Sequence, residues 1–294
     1  MNHSRISLGT AQFGLHYGIG NTSGPIREED ISYILKTSES SGICTLDTAP
    51  EYGVSESRLG KYNLSWMNIG TKLPGLPGGD LRLESVVVNF LQGSLDRLNV
   101  QKVEYYLVHR ASDLLGESGS TLFKILVKQK EQGLVGKVGV SVYTEIEADL
   151  ILKKYPIDVI QVPFNVIDQR FVTSGSLDRL KNAGVEVHAR SVFLQGLLLL
   201  PSSSRPVFFD KWSSIWENFD RWIQYCGTSQ FEACLSFVLN VQLFDKVIIG
   251  IDNKQHFVEL LSYLGKRCGP IRNPSGTCSK DPELINPSLW AIGT

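Results

Sequence analysis

Apolar residues along this chain fall into two patterns. Short, nearly unbroken apolar runs alternate with longer stretches in which apolar positions recur every three to four residues. The first pattern reads as a strand covered on both faces, the second as an amphipathic helix. "RISLGTAQFG" (5–14) is the first strand. "REEDISYILKTSESSG" (27–42) follows as a helix, with acids in its first turn and Gly42 as its stop. Further strands are expected at "ICTLDTA" (43–49), "WMNIGTKL" (66–73), "VEYYLVHR" (103–110), "GKVGVSVY" (136–143), "IDVIQVPFN" (157–165), "VEVHARSVF" (185–193) and "KVIIGI" (246–251). Helical patterns lie between them at 55–62, 82–99, 120–135, 145–156 and 176–184, and after the last strand at 253–265. Two more, 210–227 and 229–240, separate the seventh and eighth strands.

Strands alternating with helices imply a parallel sheet with crossover connections. Eight such units close into a (β/α)8 TIM barrel, typically ~250 residues long. The rival is an open doubly wound sheet, which needs a GxGxxG turn after its first strand. "GTAQFGLHYGIG" lacks that spacing. The expectation is therefore one barrel domain over 1–294, with an extra helix after strand 7. Beyond Gly265, Pro, Gly, Ser and Asn predict an irregular tail. "LPGLPGG" (73–79) reads as a flexible loop; no Gly-Lys-Ser/Thr follows, so it is not a phosphate loop. Trp212, Trp216 and Phe219 recur at helical spacing and read as packing of the extra helix.

Composition adds exclusions. The chain has 294 residues, 42% of them hydrophobic, enough for a core without disulfides or metal. Lys+Arg (29) nearly equals Asp+Glu (30), and no basic run marks a nucleic-acid surface. No apolar run reaches the ~18 residues of a membrane span. No signal-peptide pattern opens the chain. Five scattered Cys without CxxC spacing read as reduced thiols, and with the missing signal predict a cytoplasmic protein with no metal site.

In a barrel the carboxyl ends of all strands face one mouth, where the chemistry sits. Strand 2 closes with Asp47, with Tyr52 just beyond. Strand 3 closes with Thr71 and Lys72, strand 4 with His109 and Arg110, and strand 5 with Ser141. Strand 6 offers Gln161 and Asn165, strand 7 Arg190 and Ser191. Singly, each has a structural reading. Together, Asp47, Tyr52, Lys72 and His109 have a chemical logic. A phenol titrates near ~10. An ammonium about 4 Å away, at an effective dielectric near 20, favours the phenolate by about 4 kcal/mol. That predicts a Tyr52 pKa lowered by up to roughly three units, with Asp47 as counter-charge for Lys72 and His109 directing a substrate oxygen. A proton donor facing a carbonyl results; the donor alone does not supply electrons.

These residues resemble those of the aldo-keto reductase superfamily. "LDTAPEYG" is similar to its Asp-Thr-Ala-x-x-Tyr-Gly segment, "TKL" to the strand carrying its lysine, and "YLVHR" to the strand carrying its histidine. "LGTAQFGLHYGI" further resembles a bacterial subgroup, some of whose members accompany carbohydrate biosynthesis. The resemblance implies the (β/α)8 barrel and a nicotinamide cofactor extended across its mouth, with Tyr52 as general acid in reduction of an aldehyde or ketone. It implies that Ser141 and Gln161 hold the nicotinamide carboxamide. The segment "IIGIDNKQHFVELL" would hold the adenosine phosphate, through Gly250, Asp252, Lys254, His256 and Glu259.

The sequence also departs from that pattern. Val142 stands where the family has Asn. Arg190, followed by Ser191, stands where an aromatic ring stacks on the nicotinamide, a place a planar guanidinium can also fill. His256 replaces an Arg and Leu260 an Asn, while Asp252 would repel a 2′-phosphate. The resemblance implies NADPH first, with NADH close behind. Two other readings stay open: a Lys72 Schiff-base aldolase, which a nearby Asp47 works against, and a cofactor-binding regulatory protein on the same barrel. Substrate choice would lie with the segments near Leu76, Leu114 and Phe208 and the tail 267–294. Tyr17, Phe13, Phe164 and Trp290 are candidates for an apolar wall.

Overall fold

Eight parallel strands close on themselves in chain order: β1 (Ile6–Gly9), β2 (Thr45–Asp47), β3 (Asn68–Leu73), β4 (Val103–Val108), β5 (Val135–Ser141), β6 (Val159–Pro163), β7 (Glu186–Arg190) and β8 (Lys246–Gly250). β1 pairs with both β2 and β8, which completes the ring. The computed structural model describes residues 3–21, 23–76, 82–266 and 274–290. Of the expected loop at 73–79, residues 77–79 lie outside them. The helices form an outer ring. Their ends follow local chemistry: Gly42 and Asn99 close two helices in the left-handed region, and Thr144 with Glu147 forms a capping box.

Register sets which side chains meet. Gly9, Asp47 and Gly70 are neighbours across three strands, and Ser141 pairs with Gln161. Side chains alternate between the barrel interior and the helix-covered face. The large apolar core, from Ile6, Leu8, Leu46 and Ile69 through Val247 and Ile249, lies between sheet and helices. A separate small cluster is Tyr105, Leu107 and Val159, inside the ring. Most of the remaining interior is polar. At the lower level Glu186 of β7 accepts hydrogen bonds from Tyr105 of β4 (2.9 Å) and Lys137 of β5 (2.5 Å). The His188 ring lies 4.9 Å from the Tyr105 ring. At the upper level, Asp47 of β2 is bound by Gln161 of β6 from across the barrel (2.7 Å).

Two strands, the first and the seventh, stop three or more residues before their apolar runs do. The first stops at Gly9, and Ala11–Gly14 turns into a short helix that buries Phe13. The seventh stops at Arg190, because Ser191 adopts a left-handed backbone (φ 59°). After β7 the expected extra helix is Ser213–Cys226, entered through the 3-10 helix Val207–Trp212. Trp212, Trp216 and Phe219 are buried against Phe209 and Trp222, and Trp222 in turn meets Phe237, as packing residues should. The described part of the tail, 274–290, carries more regular structure than its composition implies. Ser279 donates a backbone hydrogen bond to Ile167, and Pro282–Ile285 forms a short helix capped by Asp281. No helix of the described residues is long and apolar enough to cross a membrane. Among the described cysteines, Cys44, Cys226, Cys234 and Cys278 are free thiols.

Candidate active site

Lys72 is the hub of the upper level. Its ammonium donates to Asp47 Oδ2 (2.8 Å), the Thr48 carbonyl (2.9 Å) and the Tyr52 hydroxyl (3.2 Å). The Lys72 side chain is 1% exposed and that of Asp47 9%, so the pair is sealed beneath the mouth. The loop carrying Tyr52 is held from several sides. Thr10 Oγ1 donates to the Asp47 carbonyl, and Ser55 Oγ donates to the Thr10 carbonyl. Glu56, buried, accepts from Thr71 (2.5 Å) and Arg97 (2.8 Å), tying the helix after Tyr52 to the strand of Lys72. Gly14 lets the two loops cross: a Cβ there would lie 1.9 Å from the Tyr52 carbonyl. Gly53 answers with a left-handed φ of 59°.

Burial raises the Tyr52 phenol; Lys72 opposes it, and the net shift is upward. The depressed phenol expected from the sequence is not what this structure holds, because desolvation outweighs the ammonium. Burial lowers Lys72, but Asp47 and Tyr52 outweigh it and hold the ammonium charged. A Schiff-base amine must lose its proton, so this environment opposes the aldolase reading. His109 lies edge-on to Tyr52, ring centroids 6.2 Å apart. Burial, with Lys72, Arg190 and Arg110, pushes its imidazole down to about 3. Glu51 Oε2 sits 2.6 Å from His109 Nδ1, off the line of a ring hydrogen bond. That carboxylate is 38% exposed and also faces Arg110 (3.5 Å), which offsets part of its charge.

Over these residues opens a cavity of about 950 Å³. Asp47, Tyr52, His109, Ser141, Gln161, Arg190, Ser191, Gly250, Asp252, His256 and Glu259 all line it. Lys72 reaches it only through Tyr52 and Asp47. Lys254 is not brought to it: its ammonium lies 4.0 Å over the ring of Tyr33. Gln161 gives its amide N–H to Asp47. Asn165 is structural, donating to the Ser191 carbonyl (3.0 Å) and accepting from the backbone of Ile167 and Asp168. Arg190 donates to the Val142 carbonyl and Ser191 Oγ and stacks 4.4 Å over Tyr143, so one guanidinium face is occupied. Asn253 caps the helix Lys254–Gly265, and Asp252 lies 3.4 Å from His256 Nδ1 and raises that imidazole.

A model of the Aldo/keto reductase family matches residues 5–267. The chain belongs to the aldo/keto reductase family. Membership places it among the oxidoreductases. It is 32% identical over 111 residues to 2,5-diketo-D-gluconic acid reductase B of Corynebacterium sp. (strain SHS752001). That match spans 36% of this chain and only 38% of the relative's length. An aldo-keto reductase from Bacillus halodurans, solved in its holo form, superposes with a TM-score of 0.69 at 18% identity, covering 91% of this chain and 88% of that one. Glycerol dehydrogenase AKR11B4 from Gluconobacter oxydans gives 0.66 at 20% identity, covering 90% and 88%. At such identities the likeness speaks to the barrel alone.

Several residues of this aldo/keto reductase's cavity escape sequence reasoning. Glu51, Gln12 and Tyr143 line it. Nothing distinguishes Glu51 in sequence from a solvated loop acid. Of the candidates for an apolar wall, Tyr17 does line the cavity; its hydroxyl accepts from Gln195 (3.3 Å), and burial pushes its phenol up to about 12. Phe13, Phe164 and Trp290 are packing residues: Phe164 stacks on Phe237 and meets Phe244 at a tilt, and Trp290 lies edge-on to Phe209. Of the loops expected to choose substrate, Leu114 is fully buried, and the tail contributes Pro287 and Ser288 to the lining. Residues 77–81, 267–273 and 291–294 of those segments lie outside the described residues.

Proposed function

We propose that this aldo/keto reductase reduces an aldehyde or ketone to an alcohol, with Tyr52 as general acid and a nicotinamide cofactor as electron source. One observation carries the reading: a single buried ammonium joins Asp47 and the Tyr52 hydroxyl at the floor of a large cavity. A phenol raised by burial keeps its proton at working pH. It releases that proton only as a carbonyl oxygen gains charge and becomes the stronger base. Lys72, 3.2 Å away, then stabilises the phenolate by up to about 5 kcal/mol at an effective dielectric of 20. Neutral His109 offers an N–H to the same oxygen without competing as an acid. A relative named for reducing a diketo sugar acid supports a carbonyl substrate.

The cavity suits the cofactor that the family implies. Its volume stands at the upper end for small-molecule pockets, and it runs from Tyr52 to Asp252 and Glu259. Ser141 Oγ has no hydrogen bond within the described protein, and Gln161 keeps its carbonyl oxygen, so both remain able to bind a carboxamide. When bound, the nicotinamide supplies the hydride. For the adenosine end we read NADH ahead of NADPH, reversing the order the resemblance implies. Asp252 and Glu259 line that end, Lys254 lies on Tyr33, and Asp252 offsets the charge of His256. A carboxylate there favours ribose hydroxyls over a 2′-phosphate.

The test follows the absorbance of reduced cofactor with a panel of aldehydes and ketones. Turnover that Tyr52→Phe lowers at least ~10³-fold supports the reading. Turnover that Tyr52→Phe leaves intact, or none with any carbonyl, refutes it.

A further inference from the structure

A neutral imidazole carries one N–H, so His109 can offer a hydrogen bond to a substrate oxygen from one ring nitrogen alone. Nδ1 is buried and makes no hydrogen bond within the described protein. That leaves Nε2 for the cavity, which His109 lines. Which nitrogen holds the proton is set by what meets the other one. Nδ1 meets Glu51, whose Oε2 lies 2.6 Å away. An ionised carboxylate only accepts hydrogen bonds. In line with the ring it would capture an Nδ1–H and leave Nε2 bare. A charge-assisted bond of that kind favours its own tautomer by about 10- to 100-fold.

That bond is not made. Oε2 stands off the line of the ring N–H, although at 2.6 Å a small rotation would complete the contact. The other oxygen, Oε1, faces the Arg110 guanidinium at 3.5 Å. Arg110 follows His109 directly, so one strand end presents both the ring and a cation that competes with it for the same carboxylate. Gly75, in the loop after β3, clears the place for that cation: a Cβ there would collide with Arg110 Cζ and Nε. Two further cations act on the His109 ring, Lys72 and Arg190. Lys72 is engaged by Asp47, Thr48 and Tyr52, and Arg190 by Val142 and Ser191. Among the described residues, Arg110 is therefore the cationic side chain that holds Glu51. The two side chains are 63% and 38% exposed, so the pair is weak and one substitution can tip it.

We propose that Arg110 is a positioning residue: by drawing Glu51 out of line with the imidazole, it keeps the His109 proton on Nε2, where a substrate oxygen can receive the hydrogen bond. This rests on the reductase reading above and adds to it the device that selects the working tautomer. Arg110 touches no reacting atom and acts through Glu51. Both residues stand beyond the ends of β2 and β4, whereas the residues read as cofactor-binding follow β5 to β8.

The test reads the proton itself. In enzyme carrying isotope-labelled histidine rings, nuclear magnetic resonance tells the protonated nitrogen of each ring from the bare one by chemical shift, and the His109 signals are assigned by their loss in His109→Gln. Wild type at neutral pH should hold its His109 proton on Nε2. Arg110→Met should move it to Nδ1 and lower kcat/KM for every carbonyl reduced by about 10- to 100-fold. Gly75→Ala, which displaces the guanidinium without removing it, should move both readings the same way by a smaller amount. Adding Glu51→Gln to Arg110→Met should restore both, because a side-chain amide N–H can donate to Nδ1. A wild-type proton on Nδ1, a tautomer that Arg110→Met leaves in place, or a tautomer that moves with no loss of rate overturns the proposal. So does a double variant that fails to recover both readings. If wild type reduces no carbonyl, the reductase reading fails instead, and the tautomers of wild type and variants alone decide the proposal.

Discussion

Replacing Lys72 by Met separates the proposed catalytic role of the ammonium from its structural one. The ammonium lies 3.2 Å from the Tyr52 oxygen, so at an effective dielectric of 20 it stabilises a phenolate by about 5 kcal/mol. Full loss of that term bounds the slowing of proton transfer at nearly 10⁴-fold; ~10³-fold is expected once water and the Gln161 dipole respond. The same change strands Asp47. Its carboxylate is 9% exposed and, among the described residues, keeps only the Gln161 amide (2.7 Å) as a side-chain donor. Breaking one side of a buried pair costs about 3–5 kcal/mol of stability. Removing both charges, in Asp47→Asn with Lys72→Met, should recover most of the stability and none of the rate.

Urea unfolding followed by tryptophan fluorescence reads the stability, and single-turnover oxidation of reduced cofactor reads the rate. Measurement at pH 7–8 is safe on linkage grounds. The Lys72 pKa is raised in the fold, so its contribution is complete below the unfolded value of ~10.4 and is lost only as pH rises through the higher folded value. A Lys72→Met protein within tenfold of the wild-type rate would refute the reasoning. So would a double mutant that recovers rate along with stability.

Three further outcomes follow. Glu186→Gln should lower stability at pH 7 by about 3 kcal/mol, since the Glu186 pKa falls to about 2 in the fold; this contribution is present above the unfolded value of ~4.3 and lost as pH falls toward 2, so acid titrations of wild type and mutant should converge there. Because the His109 imidazole is pushed down to about 3, kcat/KM should show no limb near pH 6.5; a limb there that His109→Gln abolishes would mean the ring titrates normally in the free enzyme. Asp252→Ser should shift the ratio of dissociation constants, read by quenching of protein fluorescence, toward NADPH by about tenfold; an unchanged ratio would show that Asp252 does not face the ribose.

The barrel was legible because its evidence is periodic. Each apolar run is covered by helices on one face and closed by a polar residue at the mouth, and both features survive in a linear reading. Asp47, Tyr52, Lys72 and His109 were legible as a set for the same reason. The acidity of Tyr52 was not, because it depends on how dry the site is, and burial is a property of the whole fold. Lys254 shows the limit for a single charge: its sequence position points at a phosphate, but a neighbouring aromatic ring on the helix Glu28–Ser41 takes the ammonium. Glu56 was invisible because its partners, Thr71 and Arg97, are supplied by a strand and a helix distant in sequence.

The two levels of the barrel interior use the same three residue types in different ways. Above, Asp47, Lys72 and Tyr52 form a carboxylate, an ammonium and a phenol; below, Glu186, Lys137 and Tyr105 form another such set. In the lower set the phenol donates to the carboxylate, which, added to burial, raises its pKa. That proton is held by a base and faces the closed end of the interior. In the upper set the phenol instead accepts from the ammonium, so its own proton stays unassigned by the protein and is available at the cavity. On the proposed function, the difference between a structural and a catalytic tyrosine in this barrel therefore lies in which partner the hydroxyl meets. It follows that Glu186→Gln should affect folding before turnover, whereas Lys72→Met should change the rate even where the fold is rescued.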